Sequence, residues 1–394
     1  MIYPYFVVAP FFESGAHMVW EERKRRNKKM GNYQNTDSRY DGCDLILPLP
    51  ARTAPLRLLQ LTDMQVINAA LRRTPGRLQA NEIAAWSPHS FDAMCGNHIR
   101  SLVAQTKPDL IFITGDITYG SFDDDGSSLT WFCQLMDSFA IPWAPVFGNH
   151  DNESAMGVAW QCELFEKSRY CLFARGNVTG NGNYTIGITV GGELTYALHM
   201  LDSHGCLRGE GLMPDQLALV RDHAARMQAA CGHCVPALLA YHSPTAEFAV
   251  AERAKGYAAG DDTMYTIGVD TPAADGDFGC RFERLPMPQP TIPPDSLFTL
   301  ASDYGINAVC VGHCHNINTC ITYRGIRLVF GLKTGQYDYH IPGQVGGTLL
   351  HIGDGLPEVT HVPSLVPYGP YPQGAPMFRH FFAPIPEESK GEKA

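Results

Sequence analysis

Five strand-like runs in this chain end directly in a side chain that can bind a metal ion. They are LRLLQLT before Asp63, DLIFITG before Asp116, WAPVFG before Asn149, ALLAY before His242, and NAVCVG before His313 and His315. A single Asp or His at a strand end is ordinary. Five such ends, three of them with Gly directly before the polar residue, are hard to assign to packing. Two carboxylates, one amide oxygen and three imidazoles make a mixed oxygen and nitrogen set. That set suits Fe, Mn or Zn better than Ca, which prefers oxygen alone. Six ligands exceed one tetrahedral ion and match two ions about 3.5–4 Å apart, which clamp the attacking and leaving oxygens of an in-line displacement.

Side chains so far apart in sequence need a sheet whose strand ends converge. The runs above, with TYALHMLD and RLVFGL, read as buried strands. FDAMCGNHIRSLVAQTKP, LTWFCQLMDSF, PDQLALVRDHAARMQAA and PDSLFTLASDYG read as helices among them, with Pro214 and Pro294 at helix starts. This alternation predicts an α/β domain with helices covering sheets. Residues 1–54 are expected to be an N-terminal extension, partly disordered; 55–360 the domain; and 361–394 a Pro-rich tail. The Gly- and Pro-rich segment 256–294 reads as a long loop at the substrate entrance.

The chain has 394 residues, 45% hydrophobic and 18% charged, with a net charge of −10. An acidic balance disfavours nucleic acid as a partner, since its phosphates would be repelled. The twelve cysteines show no repeating framework, no secretory leader is evident and no run is long enough to span a membrane. Reduced thiols in the cytoplasm are the expectation. The basic run EERKRRNKK reads as a solvated helix face, and Cys231–Cys234 as a lone CxxC without metal or redox spacing.

In order along the chain, D-x-(H), GD, GNHD, H and GHxH resemble the calcineurin-like metallophosphoesterase superfamily. KPDLIFITGD, IPWAPVFGNHDNES, NGNYTIGI, LHMLDS and VGHCHNINT resemble its purple-acid-phosphatase-like branch from plants and fungi. The resemblance implies two facing mixed β-sheets flanked by helices, a four-layer sandwich with a dimetal site at the strand ends. It implies two divalent or mixed-valence ions of Fe, Mn or Zn. Asp63 and His315 would hold the first ion, Asp116 would bridge, and Asn149, His242 and His313 would complete the second. It further implies hydrolysis of a phosphate monoester, on a small molecule or a phosphoprotein, by a metal-bridging hydroxide. His150 would assist and Asp151 could orient it. A nucleotide-type diester substrate is the alternative activity.

The first motif departs from the family, because Gln65 stands where most members carry His. Either Gln65 binds through its amide oxygen or a water, or Tyr119 of GDITY supplies a tyrosinate to ferric iron, as in true purple acid phosphatases. The same departure fits a member that has lost catalysis and serves as a protein-binding scaffold. CGNHIR repeats the letters GNH inside a helix-like run, so His98 reads as structural. His199 reads as a core residue and Cys314 as packing. His204 lies near the same edge, within reach of substrate, and His340, His351 and His361 read as non-ligands. Lys333 reads as a surface lysine that could otherwise meet a phosphate oxygen. No Asp-Arg pair follows GD, which argues against the calcineurin-type Ser/Thr phosphatases.

Overall fold

The computed structural model describes residues 33–73, 76–203, 211–260, 262–286, 293, 295–341 and 343–367. The run EERKRRNKK, His204, Pro294 and the tail beyond residue 367 lie outside them. Two mixed sheets dominate. The larger runs in the order β1 (Leu45–Leu49), β5 (Tyr184–Val190), β6 (Glu193–Met200), β7 (Ala237–Ala240), β10 (Ile306–Val311), β12 (Ile326–Phe330) and β11 (Cys320–Tyr323). The smaller runs β14 (Glu358–Pro363), β13 (Gly346–Ile352), β2 (Leu56–Leu61), β3 (Leu110–Thr114) and β4 (Trp143–Val146).

The inner strands are continuous apolar runs because both faces are covered. Every residue of LIFIT, WAPV and ALLA is buried. The sheets are stitched together by polar side chains. Gln60 on β2 donates to the Val311 carbonyl and to Thr114 Oγ1, each at 2.9 Å, and the Tyr184 hydroxyl donates to the Pro145 carbonyl at 2.7 Å. Helices α5 (Pro214–Cys231), α6 (Ala246–Ala254) and α7 (Ser296–Tyr304) share one hydrophobic core with β6, β7, β10 and β12. α2 (Asn97–Thr106), α3 (Ser127–Ser138) and α4 (Gly157–Lys167) bury Leu102, Phe132 and Phe165, and Trp143 of β4 meets the Phe132 and Phe165 rings edge-on. This is the expected four-layer arrangement. A short α1 (Ala80–Ala85) completes the α-helices of the described residues.

Several boundaries differ from expectation. β1 lies inside the segment read as an extension. Its alternating LILPL places Leu45 and Leu47 in the core, and it pairs in parallel with β5. β14 runs across the expected boundary at 360. The segment 256–294 is not simply a loop. It carries an antiparallel pair, β8 (Tyr265–Ile267) and β9 (Gly279–Arg281), tied to the main body by bridges from Phe278 to Cys320 and from Arg281 to Ile317. Buried Arg281 anchors it through a 2.5 Å ion pair with Glu252 of α6.

Candidate metal centre

Register brings the polar strand ends together. In the smaller sheet Leu61 pairs with Ile113 and Thr114 with Val146, so Asp63, Asp116 and Asn149 leave neighbouring strands at the same edge. In the larger sheet Ala240 pairs with Cys310, which aligns His242 with His313. Beyond the strands the loops remain bonded: Asp63 N–H donates to the Gly115 carbonyl at 3.1 Å and Gly312 N–H to the His242 carbonyl at 3.0 Å.

The turns are strained at the polar residues. Asp63, Gln65, Asp116 and His313 all have φ between 45° and 71°, a left-handed region costly for side chains of this size. Two of the glycines are required by close approach. A Cβ on Gly148 would collide with Asp116 Oδ1, and one on Gly312 with Thr62 Oγ1.

Four acceptor-capable atoms form one cage. Asn149 Oδ1 lies 2.9 Å from His313 Nδ1 and 3.1 Å from His242 Nε2. The two imidazole nitrogens are 3.2 Å apart, and Asp116 Oδ2 is 3.3 Å from His242 Nε2. Ligands bonded at about 2.0–2.1 Å around one tetrahedral ion stand roughly 3.3 Å apart, so the cage has the size of a metal site. The His242 Nδ1–H donates to the Thr114 carbonyl at 2.7 Å, which turns Nε2 inward. A second group, Asp63, Asp116 and His315, shares Asp116. His315 Nδ1–H donates to the Tyr339 carbonyl at 2.9 Å, leaving Nε2 3.4 Å from Asp63 Oδ1.

Opposite charges face each other across the site. Burial would raise both carboxyls, but the histidines outweigh it, holding Asp63 at about 2 and Asp116 lower still. Burial would lower His242, but Asp116 and Asp63 push it up to about 9. A proton there balances the cluster, and a metal ion would displace it. His313 is pushed down to about 3, first by burial and then by His242.

The two candidates for the missing first-motif ligand are placed otherwise. The Gln65 oxygen accepts from Lys333 Nζ at 3.1 Å, and its amide nitrogen donates to Asp116 Oδ2 at 3.3 Å. Lysine only donates and carboxylate only accepts, so this orientation is chemically fixed. The expected amide-oxygen ligand is therefore not presented. Tyr119 bonds through its hydroxyl to Arg77, and its ring packs 3.8 Å from His150. Burial raises its hydroxyl well above the usual tyrosine range, against tyrosinate formation.

Lys333 is not a surface residue; it is 3% exposed, donates also to the Asp63 carbonyl at 2.6 Å, and has its pKa lowered by burial. Asp151 does not orient His150. Its oxygens accept from Thr118 N–H at 3.0 Å and Gly148 N–H at 2.8 Å, and burial raises its pKa to about 7. Glu153 takes that place, with Oε1 3.1 Å from His150 Nδ1. Burial would lower the His150 pKa, but Asp116 and Glu153 raise it on balance. The acid three positions after His150 in GNHDNES was the available signal; Lys333 had none, because burial of a lone lysine leaves no local pattern. Glu283, from the segment read as a loop, is buried beside His315 and accepts from Tyr339 and Asn316 N–H.

His98 and His199 are core residues. His98 is buried in α2 beside Ser364, and His199 is fully buried in β6. Cys314 is buried at 4% exposure.

Among curated proteins, the chain is 24% identical over 345 residues to "Probable inactive purple acid phosphatase 29" of Arabidopsis thaliana, covering 77% of this chain and 80% of that protein. It is 25% identical over 169 residues to "Uncharacterized protein C1020.05" of Schizosaccharomyces pombe, covering 42% of this chain but 31% of that relative's length. A solved structure of a dimetal phosphatase from Danio rerio aligns with a TM-score of 0.47 and 12% identity, over 80% of this chain and 100% of that one. The model of the calcineurin-like phosphoesterase family matches residues 56–316, a span that holds the strand-end residues of both sheets together with His150. The chain therefore belongs to the calcineurin-like phosphoesterase family.

Proposed function

We propose that this protein hydrolyses a phosphate ester, a monoester before a diester, at a metal centre built by Asp63, Asp116, Asn149, His242, His313 and His315. The observation carrying this reading is the meeting of those six side chains at one edge of two sheets. Bound cations would polarise the phosphoryl oxygens and acidify water at the site. In this reading His150 protonates the leaving oxygen. Its side chain is 15% exposed, and its backbone N–H donates to Asp116 Oδ1 at 2.9 Å. The Tyr119 ring packs against the imidazole and Glu153 Oε1 lies 3.1 Å from its Nδ1, which supports Nε2 as the proton donor. Fe, Mn and Zn all fit the donor set. The monoester preference rests on resemblance to the purple-acid-phosphatase-like branch. A compartment that keeps thiols reduced suits the many buried cysteines.

A chromogenic monoester and a bis-ester, each assayed with Mn, Fe and Zn, test this reading. Turnover of the monoester should exceed that of the bis-ester, and His313→Ala should abolish it while circular dichroism shows an intact fold. Near-normal turnover in that variant would overturn the metal centre. A second reading is a weakened member retained as a binding scaffold. The Gln65–Lys333 pair favours it, as does the name of the Arabidopsis relative. Absence of turnover with all three metals would select it.

A further inference from the structure

The two halves of the site differ in kind. Around Asn149, His242 and His313 the inward atoms can all accept from, or bind, a cation. Beside Asp63 and His315 a donor intrudes. The Gln65 amide nitrogen points at Asp116 Oδ2, an oxygen of the carboxylate common to both groups. Turning the amide over would present an oxygen instead, but it would set the amide N–H against the Lys333 ammonium. Lys333 cannot withdraw easily, being buried and bonded to the Asp63 carbonyl at 2.6 Å. Nor can the turn relax, because Gln65 N–H is bonded to the Asp116 carbonyl at 2.9 Å and Thr334 N–H to the Thr62 carbonyl at 2.8 Å. The lysine thus locks the glutamine, and the locked glutamine covers Asp116 Oδ2 from one side.

We propose that Gln65 and Lys333 make the two cation positions unequal. One ion is held firmly among Asp116, Asn149, His242 and His313, while the position beside Asp63 and His315 binds at least ten-fold more weakly. This rests on reading the site as a metal centre.

The test is a Mn(II) titration of the full chain after chelator dialysis, read by metal analysis and by electron paramagnetic resonance. The expected result is one Mn per chain at low free metal, with the six-line signal of an isolated ion, and a second only at ten-fold higher concentration or above. His242→Ala should lose the retained ion and His315→Ala should keep it. Lys333→Met, which frees Gln65 to turn, should bring the second affinity to within a few-fold of the first. Two ions of equal affinity with a spin-coupled signal in the wild type would overturn the inference alone, as would loss of the firm ion in His315→Ala but not in His242→Ala. No Mn binding at all would overturn the metal-centre reading along with it. The wild-type titration decides the matter even if Lys333→Met does not fold.

Discussion

At the scale of single residues, neighbouring acids separate cleanly into roles. Glu153 touches the His150 imidazole, while Asp151 satisfies two backbone N–H groups of the site loops. Glu153→Gln should therefore lower kcat with KM little changed and the melting temperature intact. His150→Ala, which removes the proposed acid, should cost about 10²–10⁴ in rate. Asp151→Ala should act mainly on stability, because each orphaned buried N–H costs roughly 1–3 kcal/mol. Equal rate losses without destabilisation in both acid variants would refute this division. Tyr119 makes a separate case. With its hydroxyl on Arg77, Tyr119→Phe should stay active, and iron-loaded protein should show no phenolate-to-iron charge-transfer band. A purple iron form would reinstate the tyrosinate.

At the scale of elements, the site depends on turns held in unfavourable backbone geometry by a tight fit. Gly148→Ala should displace Asp116, since its new methyl would meet both that carboxyl and its backbone nitrogen. The expected outcome is loss of metal-dependent turnover with a measurable drop in melting temperature; a fully active Gly148→Ala would show that the Asp116 turn can give way. These turns were legible in the sequence because apolar runs ending in Gly-Asp, Gly-Asn and Gly-His report a buried strand and a sharp exit together. The inner strands were legible for the same reason. β13 and β14 were not, since β14 buries only Val359 of EVTHVP and lacks the continuous apolar signal. Short helices such as α4 and α6, of 11 and 9 residues, also escaped. The roles of Gln65 and Lys333 depend on a contact across 268 positions, which no local pattern encodes.

At the scale of the whole molecule, several imidazoles are buried as neutral groups. Burial pushes His199 down to about 3, and His98 and His361 to about 4. An unfolded histidine titrates near 6.5, so the unfolded chain binds protons that the fold excludes. Their stabilising contribution is full above about pH 6.5 and is lost as pH falls toward 4. The melting temperature should fall across that window. His199→Asn, which can keep a partner for Thr185 Oγ1, should flatten the slope; an unchanged slope would remove His199 from the account.

The first strand of the larger sheet carries a practical consequence. Trimming the chain to the start of β2 would strip β1 from β5, whose residues are almost wholly buried. The exposed ladder of unpaired amides would then recruit other chains, and such a fragment would clump in solution before its chemistry could be measured.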